Sequence, residues 1–320
     1  MFNLTEEESL LKIDFKEAFV NRYKQLLGPE LDLFLLFSRK PMDTTIRINT
    51  IKIEPNRLIS RLKSKGWVIE HLPWYPLGLR VKYPKIGIGK AIEHRLGYFY
   101  VQGPASMIPP IVLDPKPGEI VLDMASAPGS KATQIAAMME NRGVLIANDV
   151  NENRIIALSG NLQRCGAMNV IITKMDARRF SRIPQKFDKI LLDAPCTGDG
   201  TIRLRPFTAV MWNERNVYGI SKLQMQLILS AYDALTEGGT LVYSTCTLAP
   251  EENEGVVDFL LRKRDGAKIE SFSLPRLKMR PGITEWADNT YSDVVRKTAR
   301  IYPQDNDTEG FYIAKVIKEW

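Results

Sequence analysis

Apolar and polar positions alternate in regular blocks over the last two thirds of the chain. Five apolar runs have the length of strands, at 119–124, 143–149, 170–173, 187–193 and 240–244. Stretches with the apolar spacing of helices accompany them, at 131–140, 152–165, 221–235 and 251–264. Short apolar runs that alternate with helices predict a doubly wound, mostly parallel α/β sheet. Such a sheet binds its ligands along the carboxyl ends of its strands.

The first hundred residues have a different pattern. The apolar residues of 4–37 have helical spacing, which is broken at Gly28-Pro29. In 44–52, apolar and polar side chains alternate, as in a strand with one polar face. The pattern predicts a smaller α+β module over 1–100 and the larger α/β domain over 101–320.

Composition excludes several classes of protein. Of the 320 residues, 44% are hydrophobic and 25% are charged, and no apolar run reaches the roughly 18 residues that a membrane span needs. The acidic start at 1–8 does not resemble a signal peptide. Three cysteines and two histidines fit neither a disulfide framework nor a metal site. We expect a cytoplasmic protein without membrane contact, with reduced thiols, and a monomer by default.

The net charge of +7 is concentrated in the first third of the chain. Residues 1–110 contain 17 Lys and Arg against 11 Asp and Glu, which leaves 27 against 26 for residues 111–320. This excess is compatible with a solvated surface, but its concentration favours a polyanionic partner such as RNA. Arg47 and Asn49 lie on the polar face of the 44–52 strand. From the residues alone, an ordinary solvent-facing role is favoured over RNA contact.

Acidic side chains follow four of the predicted strands, at Asp123, Asp149, Asp176 and Asp193. The turn at 125–129 precedes a helix and suits a polar ligand head, although it lacks the glycine spacing of a P-loop or a dinucleotide fingerprint. An acid at the end of the second strand can accept hydrogen bonds from ribose hydroxyls, which predicts a nucleoside ligand. Helix capping explains single acids at strand ends, but it does not explain four in succession.

Two of the three cysteines lie in turns directly after strands. Cys196 belongs to the turn at 193–198, and Cys246 belongs to the turn at 243–247. Taken singly, each could equally be a buried, inert core residue. Cys165 lies within a predicted helix, so we interpret it as a core residue.

Taken together, these motifs resemble the RNA cytosine-5 methyltransferases of the Sun/Nop2/RsmB type, and in particular their compact archaeal members. The resemblance covers roughly 40–317. Its motifs are the turn at 123–131, the acids Asp149 and Asp176, the sequences at 193–198 and 244–247, the late segments at 300–303 and 309–314, and the strand at 45–50. It implies a Rossmann-like methyltransferase sheet with a smaller RNA-binding module.

The resemblance also implies a role for each site residue. Carbon 5 of cytosine is a poor nucleophile, so a thiolate must first add to carbon 6 before a methyl group can be accepted. Cys246 is implied as that nucleophile, and Cys196 as the residue that assists release of the methylated product. Asp193 would bind the cytosine amino group or ring nitrogen. Lys131 would be an active-site cation that also supports cofactor binding and a lowered thiol pKa.

The implied cofactor is S-adenosylmethionine. Its methionine part would lie near the turn formed by Ala125, Ser126, Ala127, Pro128 and Gly129. Lys131 and Asp193 are implied as further cofactor-binding residues. Asp149 would bind the ribose, and Asp176 would lie near the adenine.

The implied partner is RNA, with transfer RNA favoured over ribosomal RNA. The resemblance raises the RNA-contact interpretation of Arg47 and Asn49 above the ordinary one. Arg203 and Arg205 are further candidates to hold phosphates, as is the basic segment at 276–282. The target base must be flipped or single-stranded to reach a buried cysteine.

Two other classes stay open on the sequence. A small-molecule or amino-group methyltransferase could use the same fold, but it would need neither the cysteine pair nor a basic module. The fourth strand ends in Asp-Ala-Pro-Cys rather than an Asn-Pro-Pro-Tyr-like tetrad. A noncatalytic RNA-binding factor could also retain the fold, although both cysteines and the acids are present.

Overall fold

The computed structural model describes residues 10–83 and 87–319. Its α-helices are α1 (Glu17–Leu27), α2 (Leu31–Arg39), α3 (Pro55–Lys63), α4 (Ile92–Arg95), α5 (Ile108–Leu113), α6 (Ser130–Met138), α7 (Glu152–Cys165), α8 (Phe207–Met211), α9 (Glu214–Ala234), α10 (Glu254–Lys263) and α11 (Pro303–Asn306). Its strands are β1 (Thr44–Ile48), β2 (Val68–Leu72), β3 (Tyr75–Lys82), β4 (Phe99–Val101), β5 (Ile120–Asp123), β6 (Val144–Asp149), β7 (Val170–Lys174), β8 (Phe187–Asp193), β9 (Leu235–Thr245), β10 (Ala267–Glu270), β11 (Arg280–Pro281), β12 (Glu285–Trp286), β13 (Asn289–Thr290), β14 (Ala299–Ile301) and β15 (Phe311–Lys318).

A small antiparallel sheet forms the centre of the N-terminal module. Its strand order is β2-β3-β1-β4, and α3 packs against it through the buried Leu58 and Leu62. β4 pairs with β1 and extends past residue 100. The sheet of the first module therefore reaches slightly beyond the boundary expected from the sequence.

The helical hairpin α1–α2 packs on the larger domain. The ring of Phe19 meets Trp212 edge to face at 5.4 Å, and Tyr23 stacks on Phe34 with ring centroids 4.7 Å apart. Ile202 and Leu248 of the larger domain belong to the same buried cluster. These apolar helices thus cover the larger domain, although the sequence placed them in the first module. The start of the predicted helical segment, at 4–9, lies outside the described residues.

Nine of the described strands form the sheet of the larger domain. β7, β6, β5, β8 and β9 are parallel neighbours in that order, and β15 then pairs antiparallel with β9. The chain runs outward from β5 to β7 and returns to the other side of β5 as β8. The strand order therefore reverses between β5 and β8, and the crevice at their carboxyl ends is the expected ligand site.

Side chains on both faces of the central strands are buried. On β5 and β8, Val121 and Leu191 join the core on one face, whereas Leu122 and Leu192 join the core on the other. This is why the strands are continuous apolar runs rather than alternating ones. The fold class predicted from the sequence is confirmed, and the bounds of α7 and β8 agree with 152–165 and 187–193. Among the described helices, none combines the length and apolar character needed to cross a membrane.

Candidate active site

A partly buried ion pair lies at the point where the strand order reverses. Lys131 is the second residue of α6. Its Nζ donates to Oδ2 of Asp193 at 2.7 Å and to Oγ of Ser106 at 2.9 Å. Asp193 ends β8, and its Oδ1 accepts a hydrogen bond from Ser244 Oγ at 2.8 Å. Burial lowers the pKa of Lys131, but the Asp193 carboxylate outweighs this and the net pKa is raised. Lys131 is therefore a charged ammonium group within the site.

The two cysteine turns lie side by side because β8 and β9 are parallel neighbours. Asp193 and Ser244 are register partners, and the backbone N–H of Gly200 donates to the carbonyl of Cys246. The sulfur atoms of Cys196 and Cys246 are 3.2 Å apart, and both cysteines are free. The sequence placed both thiols at strand ends, and the structure brings them into contact.

Contact with the neighbouring sulfur affects the protonation of Cys196. The hydrogen bond to Cys246, together with burial, raises the pKa of Cys196 well above its usual value. Cys196 is therefore a protonated thiol at neutral pH. A thiolate at Cys246 would be near enough to Lys131 to help keep that ammonium charged. The Cys196 thiol is thus placed to donate a hydrogen bond to the sulfur of Cys246, and the roles of the two sulfurs stay a prediction.

Glu252 and Asn253 hold the two cysteine turns. Glu252 accepts from the backbone N–H of Thr197 at 3.0 Å, from the Thr197 hydroxyl and from Gln224 Nε2. Asn253 accepts from Thr245 Oγ1 at 2.6 Å and donates to the carbonyl of Thr247 at 3.0 Å. Two adjacent residues therefore fix the turns that carry Cys196 and Cys246.

The residues on either side of this pair bind more distant segments. Glu251 accepts from Arg22 of α1 and from Trp286 Nε1, and Glu254 binds the guanidinium of Arg300 through both carboxylate oxygens at 2.6 Å. Sequence reasoning assigned no function to residues 251–254. The available signal was the run Glu-Glu-Asn-Glu directly after the Cys246 turn, which reads as the start of a helix.

Glu252 should make the stability of the protein depend on pH. Burial raises its pKa to about 7 from the ordinary 4.5, so the folded protein keeps a proton that the unfolded chain has already released. The free energy of unfolding of the wild type therefore falls as the pH rises from about 4.5 to about 7. The side chain of Glu252→Gln cannot titrate. We therefore expect the free energy of unfolding of this variant to rise by about 3 kcal/mol relative to that of the wild type across that pH range.

Thermal or urea unfolding of both proteins at pH 5, 6, 7 and 8 measures this difference. Burial also raises the pKa of Asp123 to about 7, but Asp123 is common to both proteins and cancels in the comparison. A constant difference between Glu252→Gln and the wild type over this range would contradict the prediction.

The cofactor residues expected from the sequence surround the same crevice. The turn at 125–129 is held by Ser126, whose N–H donates to the Asn148 carbonyl and whose hydroxyl donates to Asp123 Oδ2 at 2.7 Å. Gly129 has a φ of 105°, which only glycine adopts easily, and α6 starts directly after it. The first N–H groups of α6 therefore point toward the crevice.

Asp149, at the end of β6, has one carboxylate oxygen that accepts no hydrogen bond from the described part of the chain. Its Oδ1 accepts from the Asn151 N–H at 2.9 Å, whereas its buried Oδ2 accepts no hydrogen bond within the described residues. Arg154 Nη1 lies 3.2 Å from that oxygen. A buried carboxylate oxygen that is ion-paired but accepts no hydrogen bond within the described residues still fits the hydroxyls of a ribose. The described residues thus suit a nucleoside cofactor at this position.

Asp176 is partly exposed and already engaged. Its carboxylate accepts from the N–H and the guanidinium of Arg178, and these hydrogen bonds lower its pKa. Its contact with an adenine stays a prediction.

Arg47 and Asn49 do not form the expected solvent-facing side of their strand. Arg47 is 1% exposed and donates to Gln102 Oε1 and Thr133 Oγ1, each at 2.8 Å. Asn49 is also 1% exposed and donates to the carbonyls of Gly97 and Cys165 at 2.8 and 2.7 Å. The polar face of β1 lies against the larger domain, so these side chains join the two modules. The expectation of an open, RNA-facing pair is wrong.

Arg203 is also a buried residue that joins segments of the protein. It is 4% exposed and donates to the carbonyls of Lys40 and Thr308 and to the carboxylate of Asp307. The expectation that Arg203 holds an RNA phosphate is wrong, because its N–H groups are already bonded to other segments of the protein. In the basic segment at 276–282, Lys278 and Arg280 are both ion-paired with Asp305. Arg205, in contrast, is exposed beside Cys196. The described residues contain no group of histidine, cysteine and acidic side chains that could hold a metal ion.

The Rossmann-like sheet, with an acid at the end of β6 and two thiols after β8 and β9, has the architecture of a methyltransferase. Residues 110–317 match the family of 16S rRNA methyltransferase RsmB/F, and residues 15–104 match the N-terminal domain of 16S rRNA methyltransferase RsmF. The chain belongs to the RsmB/F family of RNA methyltransferases.

Individual relatives span most of the chain. A tRNA (cytosine(49)-C(5))-methyltransferase of Pyrococcus abyssi is 47% identical over 96% of this chain and 99% of its own length. The ribosomal RNA small subunit methyltransferase F of Shewanella piezotolerans is 40% identical over 95% of this chain, which spans 64% of that relative.

Two solved structures from Pyrococcus horikoshii have the same fold. A methyltransferase homolog is 37% identical with a TM-score of 0.85, and the match covers 95% of both chains. NSun6, determined with SFG, is 30% identical with a TM-score of 0.84, and the match covers 95% of this chain and 98% of that one. The family resemblance seen in the sequence is thereby confirmed.

Proposed function

We propose that this protein transfers a methyl group from S-adenosylmethionine to carbon 5 of a cytosine in transfer RNA. The observation that carries the proposal is the pair of sulfur atoms 3.2 Å apart, next to the Lys131–Asp193 ion pair. A methyltransferase acting on an oxygen or an exocyclic nitrogen has no need of a thiol, whereas attack from carbon 5 of cytosine requires one.

The chain's own residues account for the addition to carbon 6, for the stabilisation of the adduct and for the release of the sulfur. The Cys246 thiolate adds to carbon 6, which makes carbon 5 electron-rich enough to form a bond to an incoming methyl group. Asp193, oriented by Lys131 and Ser244, hydrogen-bonds the cytosine amino group or ring nitrogen and stabilises the adduct. Loss of the carbon 5 proton to a base then restores the ring double bond and expels the Cys246 thiolate. The Cys196 thiol is positioned to donate a hydrogen bond to that departing sulfur.

The cofactor assignment rests on the donors and acceptors of the crevice. When bound, S-adenosylmethionine supplies an electrophilic methyl group on a sulfonium sulfur. The buried Oδ2 of Asp149, which accepts no hydrogen bond within the described residues, would accept from the ribose. The turn at 125–129 with the first N–H groups of α6 would bind the carboxylate of the methionine part. The related NSun6 structure contains SFG, an analogue of this cofactor, which supports the assignment.

Transfer RNA is the proposed substrate because of how the relatives match. The Pyrococcus abyssi enzyme named for cytosine 49 of tRNA corresponds to this chain over almost its whole length, whereas this chain spans only 64% of the ribosomal RNA enzyme of Shewanella piezotolerans. Cytosine 49 is therefore the first position to examine.

Incubation of the protein with methyl-labelled S-adenosylmethionine and unmodified tRNA transcripts tests this function. Nuclease digestion should release the label as 5-methylcytidine, and bisulfite sequencing should locate it. A matched reaction with transcripts of ribosomal RNA should give little label. Label on a base nitrogen or a ribose would contradict the chemistry, and preferential labelling of ribosomal RNA would contradict the substrate.

A further inference from the structure

An open cavity of about 620 Å³ lies directly beside Cys196. Cys196 and Thr197 form one side of it, and α8 with the start of α9 forms the other. The side chains of Phe207 and Met211 on α8 are 68% and 59% exposed, although both are large and apolar. Trp212, at the end of α8, is buried against Phe19 and anchors the short helix. An aromatic ring is thus presented to solvent on a fixed element at the mouth of the site.

The charge of this cavity suits a polyanion. Arg205 lines it and is exposed, and no carboxylate is among the residues that line it in the described part of the chain. Its other polar lining groups are hydroxyls and the amides of Asn213 and Asn216. A volume of this size holds a ligand as large as a nucleotide. An exposed aromatic face beside a cation is the combination that binds unpaired nucleobases by stacking.

We propose that Phe207 is a stacking platform for a base that adjoins the target cytosine, and that Arg205 contacts the phosphate between them. The inference rests on the proposed function, because it takes the target cytosine to lie at Cys246. A base inserted at Cys246 leaves its stack, so its neighbour loses a stacking partner. Phe207 replaces that partner, which holds the RNA chain in the opened state.

Substitutions at Phe207 separate the aromatic face from simple apolar contact. Phe207→Leu keeps an apolar side chain but removes the ring face, whereas Phe207→Tyr keeps the face. We expect Phe207→Leu to raise both the Kd and the KM for a tRNA transcript about tenfold, which corresponds to the lower half of the usual stacking contribution. Phe207→Tyr should stay within about twofold of the wild type, and kcat should change little in either variant.

Removal of one base from the RNA provides the decisive comparison. A short RNA that spans the target is prepared with an abasic nucleotide on its 5′ or its 3′ side, and its Kd is measured by fluorescence anisotropy. With the abasic nucleotide on one of the two sides, the wild type should bind the RNA about tenfold more weakly. The same abasic nucleotide should cause no further loss of RNA affinity in Phe207→Leu. The matched control is Ile156→Ala, which removes an apolar side chain that is 69% exposed on α7.

The outcomes distinguish this inference from the proposed function. An RNA affinity of Phe207→Leu equal to that of the wild type would overturn the stacking platform. So would losses of affinity from Phe207→Leu and from the abasic nucleotide that add up on both sides of the target. If Phe207→Leu binds RNA more weakly than the wild type does, but the wild type transfers no methyl group, the stacking role of Phe207 would be supported and the proposed function refuted.

Discussion

Replacement of Cys246 by alanine is expected to reduce methyl transfer to tRNA by at least about ten-thousandfold. Carbon 5 of cytosine becomes nucleophilic only after a sulfur atom has added to carbon 6, and removal of a covalent nucleophile typically costs this much or more. Single-turnover reactions with labelled S-adenosylmethionine measure the loss. Affinity for tRNA should stay within about threefold of the wild type, because the RNA contacts proposed above do not involve this sulfur.

Cys165→Ala is the matched control for this variant. Cys165 is buried at the end of α7, and its carbonyl, rather than its sulfur, accepts from Asn49. Loss of its small apolar side chain should lower the free energy of unfolding by about 1 kcal/mol and leave methyl transfer intact. Activity retained by Cys246→Ala but lost by Cys196→Ala would mean that the roles of the two sulfurs are reversed.

The proximity of the two thiols followed from the sequence because of the order of the strands. The alternating pattern predicted a parallel sheet, and parallel strands end at the same edge. The apolar runs that end at Asp193 and Thr245 therefore directed both cysteine turns to that edge. The adjacency of β8 and β9 brings the two turns together, and Glu252 and Asn253 then hold them in place.

The roles of Arg47 and Asn49 were not accessible from the same pattern. Alternation along 44–52 correctly indicated a strand with a polar face, but it could not reveal that the larger domain covers that face. Their partners, Gln102, Thr133 and Cys165, lie more than fifty positions away in the chain. An exposed cation and a buried cation look alike in sequence, and only the tertiary partners distinguish them.

The residues that hold the cysteine turns were missed for a related reason. Glu252 and Asn253 come directly before α10 and fit the usual preference for polar residues at the start of a helix. Their side chains instead reach back to Thr197 and Thr245. A polar run at a helix start therefore has two interpretations, capping or support of a neighbouring site, and the sequence alone does not choose between them.

Replacement of Cys196 by alanine is expected to leave the protein covalently attached to its RNA. In the wild type, the Cys196 thiol lies 3.2 Å from the sulfur of Cys246 and can donate to it as it leaves carbon 6. Without that donor, addition to carbon 6 still proceeds but elimination is slowed. A band of protein joined to tRNA should therefore survive denaturing electrophoresis, and turnover should fall by at least about a hundredfold.

The double variant Cys196→Ala, Cys246→Ala identifies the sulfur that forms this bond. It should give no adduct, because the only thiol left is that of the distant, buried Cys165. Treatment of the trapped species with ribonuclease should leave a nucleotide on the peptide that contains Cys246. A double variant that still forms the adduct, or a Cys196→Ala variant that turns over as the wild type does, would contradict the assistance assigned to Cys196. Because trapping requires the attack to succeed and the release to fail, it reports on the two sulfurs separately.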